Sequence, residues 1–314
     1  KFKLSMPLID SISFKVDTID PKTRRIAQVP VRSVIANLSG ELLIDDPANK
    51  SGLKELPVYP VFVSKNDAYV YYDNYRIAKG AYKRDEFYYN VYPFRLDSLN
   101  SFTTEGLKFE GFLFSGSIMP DIKEPLRVMN DYSLGFTRKL GSAGLPVYGD
   151  KAVYYSDLKL SNQGLQGSGS LRFMSSDSES PGFMFYPDSL VADLTKFSII
   201  EQEGPPSFPQ VYAEGVHQFW LPELDVMRLN TLPGKEFSMY DGKLLHSGRL
   251  SLTSAGLLGR GSSRFENAEM ASNTFVFKNQ SFNSDTTDFR LFYPERPTIS
   301  LTTRVYPGKV DFKR

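Results

Sequence analysis

Cysteine is absent from all 314 residues. Disulfide scaffolds, Cys-ligated zinc, thiolate nucleophiles and iron–sulfur clusters are therefore excluded together. Histidine occurs twice and tryptophan once, so only two side chains titrate near neutrality. No run of 18 apolar residues exists, which excludes a membrane-spanning helix. Lys1-Phe2-Lys3-Leu4 is too short to be a signal peptide. An excess of one charge is also missing, with 37 basic against 36 acidic residues, and a nucleic-acid partner would need a clustered basic surplus. No low-complexity tract stands out, and helical periodicity over ten residues or more is missing. The lack of thiols leaves the compartment open, because such chains occur in the cytosol and also among bacterial exported proteins. The chain opens without Met and closes on Val-Asp-Phe-Lys-Arg, as expected of a mature form or a piece of something longer.

What is present points to strands. Hydrophobic residues make up 41% and charged residues 23%, a globular profile, and the length accommodates one large or two to three ordinary domains. Phe (24) and Tyr (18) raise the aromatic share to 14%, which favours β structure.

Slid against itself by 92 residues, the chain matches without gaps. Residues 158–197, LKLSNQGLQGSGSLRFMSSDSESPGFMFYPDSLVADLTKF, lie over 250–289, LSLTSAGLLGRGSSRFENAEMASNTFVFKNQSFNSDTTDF, with 16 of 40 positions identical. Unrelated sequences share roughly two or three, so the pair reads as a duplicated structural unit. Tyr148 and Lys151 fall over Tyr240 and Lys243. Leu158 and Leu160 alternate with polar residues, SNQG supplies turn residues ending on glycine, and a hairpin follows. After the turn, Leu165, Gly167, Gly169, Leu171 and Phe173 share one strand face, matched by Leu257, Gly259, Gly261, Ser263 and Phe265. Gln166, Ser168, Ser170 and Arg172 form the polar face. GLQGSG and GLLGRG run G-x-x-G-x-G with no Lys-Ser/Thr and no following helix pattern, so neither is a phosphate or dinucleotide loop. The glycines read as packing devices that allow another layer to approach.

Residues 38–46, 68–77, 87–96 and 106–116 use the same vocabulary more loosely. The predicted organisation is a diverged N-terminal β unit over 1–120, a first repeat unit over 121–204 and a second over 205–314, with EQEGPPSFPQ (201–210) as the boundary.

Few residues carry candidate chemistry. His217 lies near Trp220, Glu223 and Asp225, the one place where an imidazole, an indole and carboxylates cluster, so acid–base work is conceivable. The repeat partner PLRVMNDYS keeps neither the imidazole nor the indole, and an edge strand with a snorkelling tryptophan accounts for it equally well. His246, before Ser247 at a strand start, reads as a surface residue. SSDSES (175–180) places Asp177 and Glu179 among hydroxyls, a composition that can ligate calcium; its counterpart NAEMAS keeps only Glu269, so it reads as a solvated loop. LIDDPANKSG (43–52) reads as a turn. Asn37 and Asn279 fit the glycosylation triplet. Tyr69, Tyr71, Tyr72, Tyr75, Tyr88, Tyr89 and Tyr92 could stack on sugar rings, though tyrosine is also a favoured strand residue.

The segments VIANLSGELLIDDPANKSG, YVYYDN, FTTEGLKFEGFLFSG, DYSLGF, GLPVYG, FYPDS and SFNSDTTDFRL, strung in this order, resemble very large, repetitive, β-rich exported proteins of Bacteroidota-type Gram-negative bacteria. The rhythm of Gly248 to Phe265 also resembles the β-repeats of AsmA/TamB-type envelope proteins, which implies a groove associated with lipid passage. This sequence departs from that second pattern in length and tyrosine content.

The expectation is therefore an all-β, repeat-built chain, a flattened β-solenoid or stacked sandwich-like units of about 92 residues. Its expected role is a non-catalytic structural or binding segment of a larger cell-envelope or surface assembly. Exported placement, in the periplasm, outer membrane or cell surface, goes with that role. Other segments of a longer chain or envelope subunits are the expected partners, with lipid or glycan as candidate ligands. No catalytic residue, cofactor, metal or nucleic acid is expected. A lipid-conducting β-groove and a glycan-binding or glycan-active exported protein are the alternatives.

Overall fold

A computed structural model describes residues 3–19, 22–46, 48–49, 53–293 and 296–312. The chain is all-β, and the only α-helical segment among the described residues is the single turn α1 (Tyr75–Ala78), N-capped by Asn74. It divides into two compact units, Lys1–Lys139 with Leu158–Leu165, and Leu140–Asp157 with Gln166–Arg314.

In the first unit the strands are β1 (Lys3–Ile12), β2 (Lys15–Ile19), β3 (Ile26–Pro30), β4 (Ile35–Leu43), β5 (Val61–Ser64) and β6 (Ala68–Tyr71). They are followed by β7 (Tyr88–Val91), β8 (Arg95–Leu96), β9 (Lys108–Phe109), β10 (Gly111–Phe114), β11 (Leu126–Val128) and β12 (Leu134–Lys139). One sheet runs β10-β7-β6-β4-β5-β8 with β1 on β4, and β2 and β3 form a separate hairpin. Period-two alternation sends Ala68, Val70, Tyr89, Val91 and Leu113 inward, all fully buried, and leaves Tyr69, Tyr71, Tyr88, Phe112 and Phe114 half-exposed on the opposite face. The buried tyrosines find acceptors, as Tyr72 Oη donates to the Leu134 carbonyl at 3.0 Å and Tyr89 Oη to that of Glu124 at 2.6 Å.

Beyond Lys139 the strands are β13 (Leu145–Val147), β14 (Ala152–Ser161), β15 (Gly164–Phe173), β16 (Ser176–Phe185), β17 (Leu190–Leu194), β18 (Lys196–Ile199), β19 (Val211–Ala213), β20 (Val216–Leu221) and β21 (Val226–Thr231), all in the second unit apart from Leu158–Leu165 at the β14–β15 turn. Then come β22 (Phe237–Met239), β23 (Leu244–Thr253), β24 (Gly256–Phe265), β25 (Ala268–Phe277), β26 (Ser281–Ser284), β27 (Thr287–Tyr293), β28 (Arg296–Val305) and β29 (Gly308–Asp311). The ten-residue strand β16 forks: its second half pairs with β17 and its first half with β18. One branch runs β17-β20-β21 and the other β18-β19-β22, and both end on β23. The result is a closed eight-stranded antiparallel ring, which leaves none of its members with an open edge.

Inward positions fill the ring with side chains. Phe183, Phe185, Leu190, Phe197, Val211, Trp220, Met227, Leu229, Phe237 and Leu250 are all buried, and each such side chain stabilises the fold by about 1.5–3 kcal/mol. The segment 201–210 belongs to this unit, with Gln202 and Phe208 exchanging backbone hydrogen bonds and Phe208 wholly buried.

Strand boundaries recur at the sequence offset of 92. Strands β12, β13, β14, β15 and β16 begin and end 92 residues before β21, β22, β23, β24 and β25. After β25 the first steps of the ring are retraced, with β26 to β29 corresponding to β17 to β20 and β27 to β28 corresponding to β18 to β19. Local features follow. Tyr148 Oη donates to the carbonyls of Tyr186 and Ser189 at 3.0 and 2.8 Å, and Tyr240 Oη to those of Lys278 and Ser281 at 3.0 and 2.9 Å. Gly169 and Gly261 hold φ of +142° and +141°, a region open essentially to glycine alone.

Candidate functional site

Strand β20 separates the residues that cluster in sequence around His217. Its burial alternates, with Val216, Gln218 and Trp220 inward and His217 and Phe219 outward. Trp220 is wholly buried against Tyr148 and Phe173, and β20 pairs on both sides. The edge strand with a snorkelling indole is thus corrected: alternation drives Trp220 into the ring and His217 out of it. His217 Nδ1 lies 2.7 Å from Asp193 Oδ1 on the neighbouring strand, an exposed pair. Glu223 sits in the turn beyond Leu221, six residues along, and Leu221 at the end of the strand already lies roughly 13 Å from His217 at about 3.3 Å per residue. Asp225 instead caps a backbone, accepting from Ser254 N at 2.9 Å. Base, indole and carboxylates do not converge.

His246 is not a surface residue, because it is wholly buried. It occupies the place of Tyr154, 92 residues earlier. Tyr154 Oη donates to the carbonyls of Asp157 and Ser168 at 2.7 and 2.9 Å, and His246 Nε2 makes a long 3.4 Å contact with the equivalent carbonyl of Arg249. Both rings meet equivalent partners edge-on, Phe183 and Phe185 for Tyr154, Phe275 and Phe277 for His246. Because a carbonyl can only accept, the network assigns the proton to Nε2, and Nδ1 accepts from Ser263 Oγ at 2.8 Å. Burial pushes the imidazole down to about 4, against the opposing pull of nearby backbone carbonyls. A neutral, enclosed imidazole of this kind does structural work.

The SSDSES stretch is also corrected. It is strand rather than loop: Ser176, Ser178 and Ser180 point inward, and Asp177 and Glu179 point outward. Asp177 accepts from Arg172 at 3.0 Å and Glu179 from Lys196 at 3.4 Å. Among the described residues no group of three or more His, Asp or Glu is arranged around a cation position. Of the 43–52 stretch, Leu43 ends β4, and in the described residues that follow Asp45 and Asp46 accept from Asn49 Nδ2 and Ala48 N.

The tyrosines divide. Tyr72 and Tyr89 are core residues, and Tyr75 is exposed on α1. Tyr69, Tyr71 and Tyr88 come together on the outer face of the first unit's sheet with Phe112 and Phe114. Register places Tyr71, Tyr88 and Phe114 in one row across three strands, and Tyr69, Asn90 and Phe112 in the next. Tyr88 stacks on Phe114 with centroids 5.0 Å apart, Tyr69 stacks on Tyr71 at 6.1 Å, and Tyr69 meets Tyr88 edge-on at 5.5 Å. Partial burial, and then the neighbouring Tyr69, Asp121 and Tyr71, raise the Tyr88 phenol above its usual range. Asn37 Nδ2 donates to Tyr71 Oη at 3.2 Å, and the Arg84 guanidinium lies 4.7 Å over the Tyr71 ring while paired with Asp73 at 2.6 Å. Alternation alone announces that these residues share a face within each strand. Asn90, Phe112 and Phe114 carried no signal as members of the group, because strand pairing is what unites them.

Compared with family models, curated proteins and solved structures, the chain matches none.

Proposed function

We propose that this chain is a non-catalytic, repeat-built binding or structural segment of a larger cell-envelope or surface assembly. The observation that carries the reading is the recurrence of strand bounds, tyrosine hydrogen bonds and positive-φ glycines at one offset. A unit reused with its packing intact, while His217 has no counterpart, fits a scaffold better than a catalyst. The filled ring interior favours a solid support over a lipid conduit through that ring, since a passage for acyl chains needs an open apolar lumen. On this reading each unit of about 92 residues adds one forked set of strands to its neighbour, and partners are further segments of the same design or envelope subunits.

Fractionation of the native cells, followed by detection with an antibody raised against the chain, tests the placement. Recovery with the envelope is the expected result. Recovery in the cytosolic fraction contradicts it.

A further inference from the structure

Resting on the reading of a binding segment, we propose that the aromatic face of the first unit binds a neutral carbohydrate chain. Its six central positions, Tyr69, Tyr71, Tyr88, Asn90, Phe112 and Phe114, form two adjacent rows across β6, β7 and β10. Five are aromatic rings left half-exposed. Flat rings carrying polar edges match the apolar C–H faces and peripheral hydroxyls of pyranose rings.

Asn90 supplies the second, independent observation. It is 7% exposed, and its Oδ1 is a buried oxygen without a hydrogen-bond partner. Its orientation is fixed, because Nδ2 donates to Asp67 Oδ2 at 3.1 Å and a carboxylate can only accept. An orphaned acceptor therefore lies between Tyr69 and Phe112, just beneath the face. Such a group costs stability unless something donates to it. A hydroxyl does so once a flanking ring pivots about χ1, whereas an acyl chain or an apolar protein surface leaves it unmet. The cation at this face, Arg84, is already paired with Asp73, and the acids Asp67 and Asp121 lie beside Asn90 and Tyr88, which disfavours an anionic ligand.

The test is affinity electrophoresis of the whole chain in native gels cast with xylan, mixed-linkage β-glucan or mannan, together with an assay for new reducing ends. Retardation in at least one gel is expected. Tyr88→Ala and Phe114→Ala should each weaken it roughly tenfold, the scale of one lost ring contact, while Tyr88→Phe retains it. Asn90→Leu should also weaken it, and Tyr75→Ala, on α1, should not. Melting curves of each variant identify any loss that comes from unfolding. Migration unaffected by all three polysaccharides overturns the proposal, as does retardation that persists in the Tyr88→Ala and Phe114→Ala variants. Release of reducing ends would overturn the non-catalytic reading while leaving the site in place.

Discussion

Gly261→Ala is the substitution whose cost the structure defines most sharply. A Cβ at Gly261 would overlap the carbonyl oxygen of Ser247 and lie 3.1 Å from Cα of Gly248, and the residue sits at φ +141°. Gly169 repeats the arrangement against the Tyr155 carbonyl at φ +142°. The obstacles are backbone atoms on the adjacent strand, so no rotamer change relieves them. Overpacking costs about 1–3 kcal/mol and an L-residue in this backbone region about 1–3 kcal/mol more. A loss near 3 kcal/mol, at about 2–4 °C per kcal/mol for a unit of this size, lowers the melting temperature by roughly 6–12 °C. Gly182→Ala is the control, since a Cβ there meets nothing within 4 Å and no positive φ is required; its effect should stay within about 0.5 kcal/mol. Thermal and urea unfolding of the three alanine variants decide the matter. If Gly261→Ala and Gly169→Ala melt with Gly182→Ala, the close strand approach is absent and the packing argument is wrong.

Acid sensitivity should be traceable to His246. Burial holds its folded value at about 4, below the ordinary imidazole value of about 6.5, so the unfolded chain binds the extra proton first. The stability that the neutral ring contributes is fully present above pH 6.5 and is lost as pH falls toward 4, up to about 3 kcal/mol. The His246→Tyr, Ser263→Leu double variant, which copies Tyr154 and Leu171, should flatten urea midpoints between pH 6.5 and 4; a parent midpoint constant over that range would refute the assignment. His217→Ala with Glu223→Gln should shift the melt by less than about 1 kcal/mol, because the Asp193 pair is exposed. Turnover of a glycan or ester substrate that vanishes in this double variant, with its melt unaltered, would establish His217 and Glu223 as an active site.

Much of the local structure was legible in sequence because the side-chain period of a strand is two. Alternation in 158–173 and 250–265 marked the hairpins, and the terminal glycines of SNQG and TSAG marked their turns. His246 carried a usable signal as well, since it shares parity with Leu244 in one strand and aligns with Tyr154 in the repeat. Its adjacency to Ser247 was misleading. Trp220 alternates inward with Val216 and Gln218 in the same way. Register between distant strands was not legible, because no periodicity says which strand pairs with which. The fork of β16 onto β17 and β18, and the row that joins Tyr71, Tyr88 and Phe114, both depend on such pairings. Asn90 could be read as a strand residue; its orphaned oxygen emerges only once Asp67 holds the other end of the amide.

The closed ring depends on two branches leaving β16 and meeting at β23, and a chain without cysteine permits a direct test. In one branch Tyr212 on β19 lies opposite Ser238 on β22, and in the other Asn230 on β21 lies opposite Arg249 on β23. All four positions face outward from the ring, so paired cysteines there can reach disulfide geometry without entering the core. Tyr212→Cys with Ser238→Cys, and Asn230→Cys with Arg249→Cys, should each oxidise to an intramolecular disulfide, read by mass spectrometry of the digested monomer. The mismatched pair Tyr212→Cys with Asn230→Cys should stay reduced. Efficient crosslinking in the second branch without any in the first would mean that the sheet is open at β19 and β22, and the ring would be contradicted.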